Sequence, residues 1–425
     1  MIRHLLKMAW NQKRANLWIS IEILLSFLVL CIVLTTGAYY VINYQLPLGF
    51  SYEDVWHVRL GDRHIGSPES DQPQKVHSNF VQSKTKVSLA LESFDEIEAT
   101  GYVFLVPFKD LGGTAFIYSR DREKLRVRSN RASIGVKDVL QLEIVQGRWF
   151  ERGDEALNGD PVIINPSLSH ILFGSENPVG KSIERVPHRQ FMSSWKEKNG
   201  KRVLEQSSEM VTEEPFRVVG VIADFRTNEF EPSAPFLMEF YPEGEHSRYP
   251  NMLIRLRSGT GAVFGETLLK RLRSAGKGWT FQLESLEQYR ASTHKRHWAF
   301  IAAGGIVAGM LVLMASLGLL GVLWQNVTQR TSEIGLRRAL GGSARNISGQ
   351  ILGELLVVTT IAVGFGMALI GQLAIFDLLD IDRGEVFAGG VLGSAFVIYL
   401  VVTVCALYPS WLATRVQPVE ALHYE

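Results

Sequence analysis

The sequence predicts a membrane protein of four transmembrane α-helices, with a large α+β extracytoplasmic domain inserted between helices 1 and 2. Four apolar runs are each long enough to cross about 30 Å of hydrocarbon: Trp18–Ile42, His297–Gln325, Ile351–Leu379 and Val386–Trp411. Between the first two lies a polar block, residues 43–296, in which no run could span a bilayer. Charge alternates along the chain. Arg3, Lys7, Lys13 and Arg14 precede the first run, and Arg330, Arg337, Arg338 and Arg345 separate the second from the third. Asp377, Asp380, Asp382 and Glu385 crowd the link before the fourth. Excess Arg and Lys marks the cytoplasmic side. Both termini and the 326–347 loop are therefore expected inside, and block 43–296 and link 380–385 outside.

Composition narrows the partners. The 425 residues are 46% apolar and 20% charged, with a net charge of +1 that gives no ground for nucleic acid as a partner. The two cysteines, Cys31 and Cys405, fall in apolar runs, so no disulfide framework is expected and the outer domain must hold together by its core.

Residues 1–17 repeat Ile2, Leu5, Leu6, Ala9 and Trp10 at helical spacing with basic residues between them, the pattern of an amphipathic helix on a membrane surface. Segment 18–42 reads as an uncleaved anchor: its run is longer than a signal peptide's, and Tyr39-Tyr40 stands where a small-residue cleavage site is needed. Leu30 spoils the lipobox that Cys31 would complete. In the outer block, Val55–Leu60, Tyr102–Phe108, Thr114–Tyr118, Pro215–Ala223, Phe236–Tyr241, Met252–Leu256 and Trp279–Leu283 read as strands, and Ser88–Ala99 and Ala262–Ala275 as helices. Asn165-Pro166 is an N-cap with proline at N1, opening a helix that stops before Gly174. Residues 187–214 are polar and weakly patterned, suiting a hairpin or a mobile loop. The second span, 297–325, reaches ~43 Å at 1.5 Å per residue and should protrude from the hydrocarbon. Gly305-x-x-x-Gly309, Ala362-x-x-x-Gly366 and Gly389-x-x-x-Gly393 give spans 2, 3 (348–379) and 4 (386–411) small faces for close packing. Residues 412–425 form a cytoplasmic tail.

The stretch 326–347 has the punctuation of a short helix. Thr331 and Ser332 offer N-cap oxygens, Glu333 sits in the first turn and Arg337 and Arg338 in the last, where the helix dipole favours each sign. Glu333 and Arg337 are also an i,i+4 pair, and Gly341 and Gly342 stop the helix. Glu333, Ile334, Gly335, Leu336, Arg337, Arg338, Leu340 and Gly341 thus form a capped helix between two spans, suited to passing a force between the spans and something on that face of the membrane.

Arg330 to Ile347, RTSEIGLRRALGGSARNI, resembles the signature after the second transmembrane helix of FtsX-like ABC-transporter permeases. QILGELL (Gln350–Leu356) and YPSWLATRVQPVEAL (Tyr408–Leu422) resemble that family's third helix and tail. In the outer block, IVQGRWF (Ile144–Phe150), DPVIIN (Asp160–Asn165), LFGSENPVGK (Leu172–Lys181) and FRVVGVIADF (Phe216–Phe225) resemble the MacB-type periplasmic core domain of the macrolide-exporter branch. The resemblance implies a permease subunit in a bacterial inner membrane, whose capped helix docks on a separate ABC ATPase subunit. It implies pairing with a second permease subunit, as homo- or heterodimer, within membrane lipid, and leaves a periplasmic adaptor protein open as a further partner. ATP-driven closure of the ATPase would then move the outer domain and drive export or efflux. One rival within the fold is an FtsX-type regulator of a cell-envelope hydrolase; the size of the outer block and its MacB-like motifs argue against it. A membrane-anchored receptor or enzyme is the rival of another class.

No catalytic, cofactor or metal site is expected. Gly174 to Ser182 is one residue too long for a phosphate-binding loop, Ser175 stands where a glycine is needed, and Pro178 removes a donor. His294 and His297, at i,i+3 with no third ligand nearby, read as interface histidines. No H-E-x-x-H or G-x-S-x-G pattern occurs. Glu22 and Glu354 are intramembrane carboxylates about one turn inside their spans. Such groups are functional hypotheses by default, and here a structural role is favoured, by snorkelling or an interhelix hydrogen bond.

Overall fold

A computed structural model describes residues 13–62, 85–110, 112–156, 159–198, 201–211, 213–242, 251–276, 279–329, 344–375 and 384–415. In chain order, α1 (Lys13–Tyr44) leads into β1 (Val55–Asp62), β2 (Ile97–Tyr102), β3 (Gly113–Tyr118) and β4 (Lys124–Ala132). Then come the short α2 (Val136–Leu140), β5 (Ile144–Gly147), β6 (Asp160–Ile164), α3 (Pro166–Phe173), β7 (Ser182–Ile183), β8 (His188–Lys198) and β9 (Lys201–Val211). β10 (Phe216–Ile222), β11 (Phe236–Phe240), β12 (Asn251–Leu256), α4 (Ala262–Ala275) and β13 (Trp279–Ser285) complete the outer block; α5 (Leu286–Gln329), α6 (Ala344–Ile375) and α7 (Gly384–Arg415) follow. Helices α1, α5, α6 and α7 are long and apolar enough to cross a membrane. The fold class is thus the one the sequence predicts. The chain divides into one unit of Met1–Ile42 with Arg296–Glu425 and another of Asn43–Lys295.

The outer unit is built on two sheets. The first, β13-β1-β12-β2, is antiparallel throughout. The second runs β3-β4-β11-β6-β10-β5, with β7 also on β10; it is mixed, because β4/β11 and β6/β10 are parallel pairs. Its central strands are buried on both faces, which is why they read as unbroken apolar runs. Along β6, Val162 and Ile164 face a core completed by Leu168 and Leu172 of α3, whereas Ile163 faces another core. That other core also takes Val55 and Leu253 from the first sheet and Val136, Val139 and Leu140 from α2. The far face of the first sheet, with Met252, Ile254 and Leu256, packs on Leu268 and Leu272 of α4. Strands β6 and β12 therefore each serve two cores by the period-2 alternation of their side chains.

Several local expectations change. The helix expected at Ser88–Ala99 covers only 85–92, because Ile97, Ala99 and Thr100 pair with Leu256, Arg255 and Ile254 of β12. The strand expected at Tyr102–Phe108 instead ends at Tyr102: the Asp110 carboxylate accepts the Val106 N–H at 2.7 Å, and Phe108 takes a left-handed φ of 64°, so the chain turns. β4 goes unread in the sequence, since its outward positions are basic. Residues 188–211 form a two-stranded antiparallel ribbon in register from His188↔Val211 to Lys198↔Lys201. Asn165 does cap α3: its Oδ1 accepts the Leu168 N–H at 3.0 Å and the Phe236 N–H at 3.0 Å, joining the helix start to β11.

In the other unit, Ile19, Ile23, Phe27 and Cys31 form a buried stripe down α1. It packs with Leu319 and Leu323 of α5, Leu355 and Ala362 of α6, and Ile398 and Val402 of α7. Opposite faces leave Leu392, Phe396 and Leu400 of α7 and Leu313 and Leu317 of α5 exposed, as a lipid solvent requires.

A tight crossing of helix and strand in the outer unit sets a test of the fold. A methyl on Gly135 would overlap the Thr100 carbonyl oxygen, and one on Gly101 would stand 2.6 Å from the Val136 nitrogen. Helix α2 therefore begins against the bare backbone of β2. Gly135→Val is expected to destabilise the outer domain by roughly 1–3 kcal/mol, the usual range for overpacking. Gly153→Ala, where nothing lies within 4 Å of the added methyl, should change it by less than about 0.5 kcal/mol. Thermal unfolding of the two variants checks this; equal midpoints would show the crossing to be slack.

Candidate functional site

The second connection between the outer block and the membrane helices begins well before the apolar run. Ser285 and Gln288 form a reciprocal capping box: the Gln288 N–H donates to Ser285 Oγ and the Ser285 N–H to Gln288 Oε1, each at 3.1 Å. The helix expected at 297–325 accordingly starts at Leu286 and continues to Gln329. Its first turns, though polar in composition, keep one apolar face: Leu286, Tyr289 and Thr293 are buried at i, i+3 and i+7.

Tyr289 is fixed to the first sheet through a buried histidine. The Tyr289 hydroxyl lies 2.9 Å from His57 Nδ1, and His57 Nε2 lies 3.0 Å from Asn251 Oδ1. The Asn251 amide donates to the Phe104 carbonyl at 2.8 Å, so its Oδ1 is left to accept. A neutral ring with its proton on Nε2, accepting the tyrosine O–H at Nδ1, satisfies both contacts. Its pKa is lowered to about 3, mainly by burial and then by the Lys109 charge. Lys109 sits 5.2 Å from the Tyr289 ring centroid and is itself pushed down by burial. Burial, with Glu284 adding, holds Tyr289 well above the usual phenol range.

Among the membrane helices, the Glu22 carboxylate of α1 lies against a glycine of α5: a methyl on Gly318 would stand 2.7 Å from Glu22 Oε2. Glu354 accepts a hydrogen bond from the Gln350 amide of its own helix at 3.4 Å. The sequence-derived glycines divide. A methyl on Gly366 would stand 2.6 Å from the Phe27 ring and one on Gly393 3.6 Å from Leu34, whereas nothing lies within 4 Å of a methyl on Gly305, Gly309 or Gly389. Closer approaches to α1 in α5 and α7 lie one residue away, where a methyl on Gly304 would stand 2.9 Å from Val33 and one on Gly390 would overlap Thr35. His294 and His297 take different partners: His294 pairs with Glu229, and the His297 ring packs edge-on against Tyr40 at 5.1 Å. Among the described residues, no group of three His, Cys, Asp or Glu could hold a metal ion. The stretch Glu333, Ile334, Gly335, Leu336, Arg337, Arg338, Leu340 and Gly341 lies outside the described residues.

The family profile of the MacB-like periplasmic core domain matches residues 21–275, and that of the FtsX-like permease C-terminal region matches residues 305–418. The ABC transporter permease YknZ of Bacillus subtilis is 25% identical over 309 residues, covering 70% of each chain. The macrolide export ATP-binding/permease proteins MacB of Aggregatibacter actinomycetemcomitans and Agrobacterium fabrum are 23% and 26% identical over 55% and 67% of this chain. The match spans only 33% and 41% of their own length. The solved periplasmic region of MacB from Actinobacillus actinomycetemcomitans aligns with 57% of this chain and 94% of its own, at 16% identity and a TM-score of 0.36.

His57 gives the site a measurable pH signature. Folded, it stays neutral down to about pH 3; unfolded, it protonates near 6.5. In between, the unfolded chain binds more protons, so the contribution is complete above pH 6.5 and is lost as pH falls towards 3. The slope is up to about 1.4 kcal/mol per pH unit. Gln at this position keeps a donor and an acceptor but does not titrate. Urea midpoints between pH 4 and 7 should therefore fall less steeply in His57→Gln than in the parent; identical slopes would show that His57 protonates freely in the fold.

Proposed function

The chain belongs to the ABC transporter permeases that combine a MacB-like periplasmic core domain with an FtsX-like C-terminal region, and we propose that it is the membrane subunit that passes the ATP-driven motion of a separate ATPase to its outer domain, driving export or efflux. The observation that carries this reading is α5. It runs unbroken from the Ser285 cap, past Leu286 and Tyr289 in the outer core, to Gln329. At 1.5 Å per residue that is ~66 Å of continuous helix, stiff along its axis. The sequence beyond Gln329 supplies the docking element. Ile334, Leu336 and Leu340 fill a groove on the ATPase, Glu333, Arg337 and Arg338 lie at its rim, and Gly341 caps the helix. A second permease subunit pairs about a two-fold axis, since oligomers usually close that way. A periplasmic adaptor protein is a further partner in this reading, and the substrate is handled outside the membrane rather than through a channel between the helices.

Orientation is tested by single-cysteine labelling. Reagent applied from outside should label Ser207→Cys and Asp382→Cys and spare Ser343→Cys; outside labelling at position 343 would end this topology.

Coupling is tested by pull-down of the ATPase and ATP turnover of the reconstituted complex. Apolar anchors at the centre of an interface usually cost more than ~2 kcal/mol when lost, and rim charges less. Leu340→Asp should thus weaken ATPase capture more than about tenfold, and Arg338→Ala clearly less. Gly341→Val should also uncouple, because a β-branched residue resists the left-handed cap. Normal capture and turnover in both Leu340→Asp and Gly341→Val would remove the docking role.

A further inference from the structure

The chain enters the outer block through Asn43–Ser51, the end of α1 and the irregular segment that follows it, and leaves it through the first turns of α5. One loop, 224–231, holds both. Towards the entry segment, the Arg226 guanidinium, 2% exposed, donates to the carbonyls of Asn43 at 2.9 Å, Leu46 at 2.7 Å and Pro47 at 3.3 Å. Its other N–H groups return to its own loop, to Glu229 O at 2.8 Å and Glu231 O at 3.0 Å, so the loop and the entry segment share one rigid fork. The Arg226 backbone N–H donates to Leu48 O at 3.0 Å, and the Asn43 amide to Phe230 O at 3.2 Å. Gly49, with φ +82°, lies so close that a methyl there would overlap the Asp224 carbonyl.

Towards α5, the Glu229 side chain, 5% exposed as a residue, accepts from Arg290 Nε at 2.5 Å and pairs with His294. A second tie runs beside it: the Thr293 hydroxyl donates to Phe108 O at 2.7 Å, and the Phe108 N–H donates to Thr227 O at 2.8 Å. The same eight residues thus grip the entry segment through its backbone carbonyls and the exit helix through a buried carboxylate. Glu229 belongs to both sets, by its carbonyl on one side and its side chain on the other.

We propose that loop 224–231 is a joint that couples the two connecting segments, so that a displacement of either moves both, with Arg226 and Glu229 as its positioning residues. Its use in transmission rests on the transport reading above; the coupling between the connectors does not. The test uses the full-length chain in lipid nanodiscs without an ATPase, so loss of coupling and loss of the ATPase partnership are read in separate experiments. Coupling free energy is reciprocal, and hydrogen exchange reads it residue by residue. The Tyr44 ring packs edge-on against His294 at 5.5 Å, so the readout is taken at Leu46 and Arg226, which are not part of that contact: Glu229→Gln should speed exchange at their amides about tenfold, the scale of one weakened charged hydrogen bond. Gly49→Ala touches no residue of α5, yet it should speed exchange in 290–295. Arg290→Met, a milder release of the same carboxylate, should act in the direction of Glu229→Gln and serves if that variant does not fold. Changes confined to 290–295 in Glu229→Gln and Arg290→Met, and to 43–51 with 224–226 in Gly49→Ala, would show two independent attachments and overturn the joint.

Discussion

A buried guanidinium satisfying the carbonyls of an irregular segment is the interaction on which this architecture depends. A domain inserted between two membrane helices must begin and end where those helices emerge. The exit is simple, because helix α5 satisfies its own backbone. The entry is not: Asn43 to Leu48 leaves carbonyl oxygens without ladder partners, and a buried orphan carbonyl costs on the order of 1–3 kcal/mol. The Arg226 side chain answers three of them, in Asn43, Leu46 and Pro47, and two more in its own loop, in Glu229 and Glu231. Lysine could not take its place, since a single ammonium cannot present five donors in a fixed plane. Arg255 repeats the device deeper in the domain, where it donates to the carbonyls of Val139, Glu53 and Ser51 at 2.7, 3.1 and 3.3 Å. Burial lowers its pKa, the expected direction for a cation held away from water. Both arginines hold the same stretch of chain, one at each end of the path from α1 to β1.

Around that path the domain is layered rather than globular in its logic. The middle core draws Val55 and Leu253 from one sheet and Ile163, Ile222 and Met238 from the other, with Leu286 and Tyr289 of α5 between them. The glycine crossings show how close the layers come. Gly101 and Gly135 bring β2 and α2 to backbone contact, and a methyl on Gly220 would overlap the Arg148 carbonyl. These contacts leave no room for the layers to slide past one another without breaking packed surface.

What the sequence made legible follows from what is local. The four spans are visible because hydrocarbon demands long apolar helices, and the start of α3 because Asn165 and Pro166 act within one turn. The early start of α5 was equally local, since Ser285 and Gln288 are three residues apart, but the eye follows the apolar run that begins later. β4 was hidden by its arginines: Arg126 and Arg128 alternate with buried Val127, so the strand reads as polar unless period 2 is sought. The small faces of the spans were legible as spacing but not as direction. Adjacent residues on a helix differ by about 100° around the axis, so Gly304 and Gly305 are equivalent in the sequence; only the position of Val33 distinguishes them. Arg226 and Glu229 were not legible, because their partners lie far away in sequence, at Asn43 to Pro47 and at Arg290 and His294. Nothing in FRTNEFE announces which of its charges is buried.

The distribution of stiffness follows from these contacts. A dense core has low compressibility, so a displacement delivered to Leu286 or Tyr289 is passed to both sheets rather than absorbed between them. The His57–Tyr289 hydrogen bond adds a directed tie to β1, and Thr293 adds one to the turn at Phe108. The β8–β9 ribbon stands outside this arrangement. Among the described residues its strands pair only with each other, whereas the ties from both connectors run into the central core. A domain that served only as a tethered binding module would have no need to bring both of its ends to one loop and that loop to the central core.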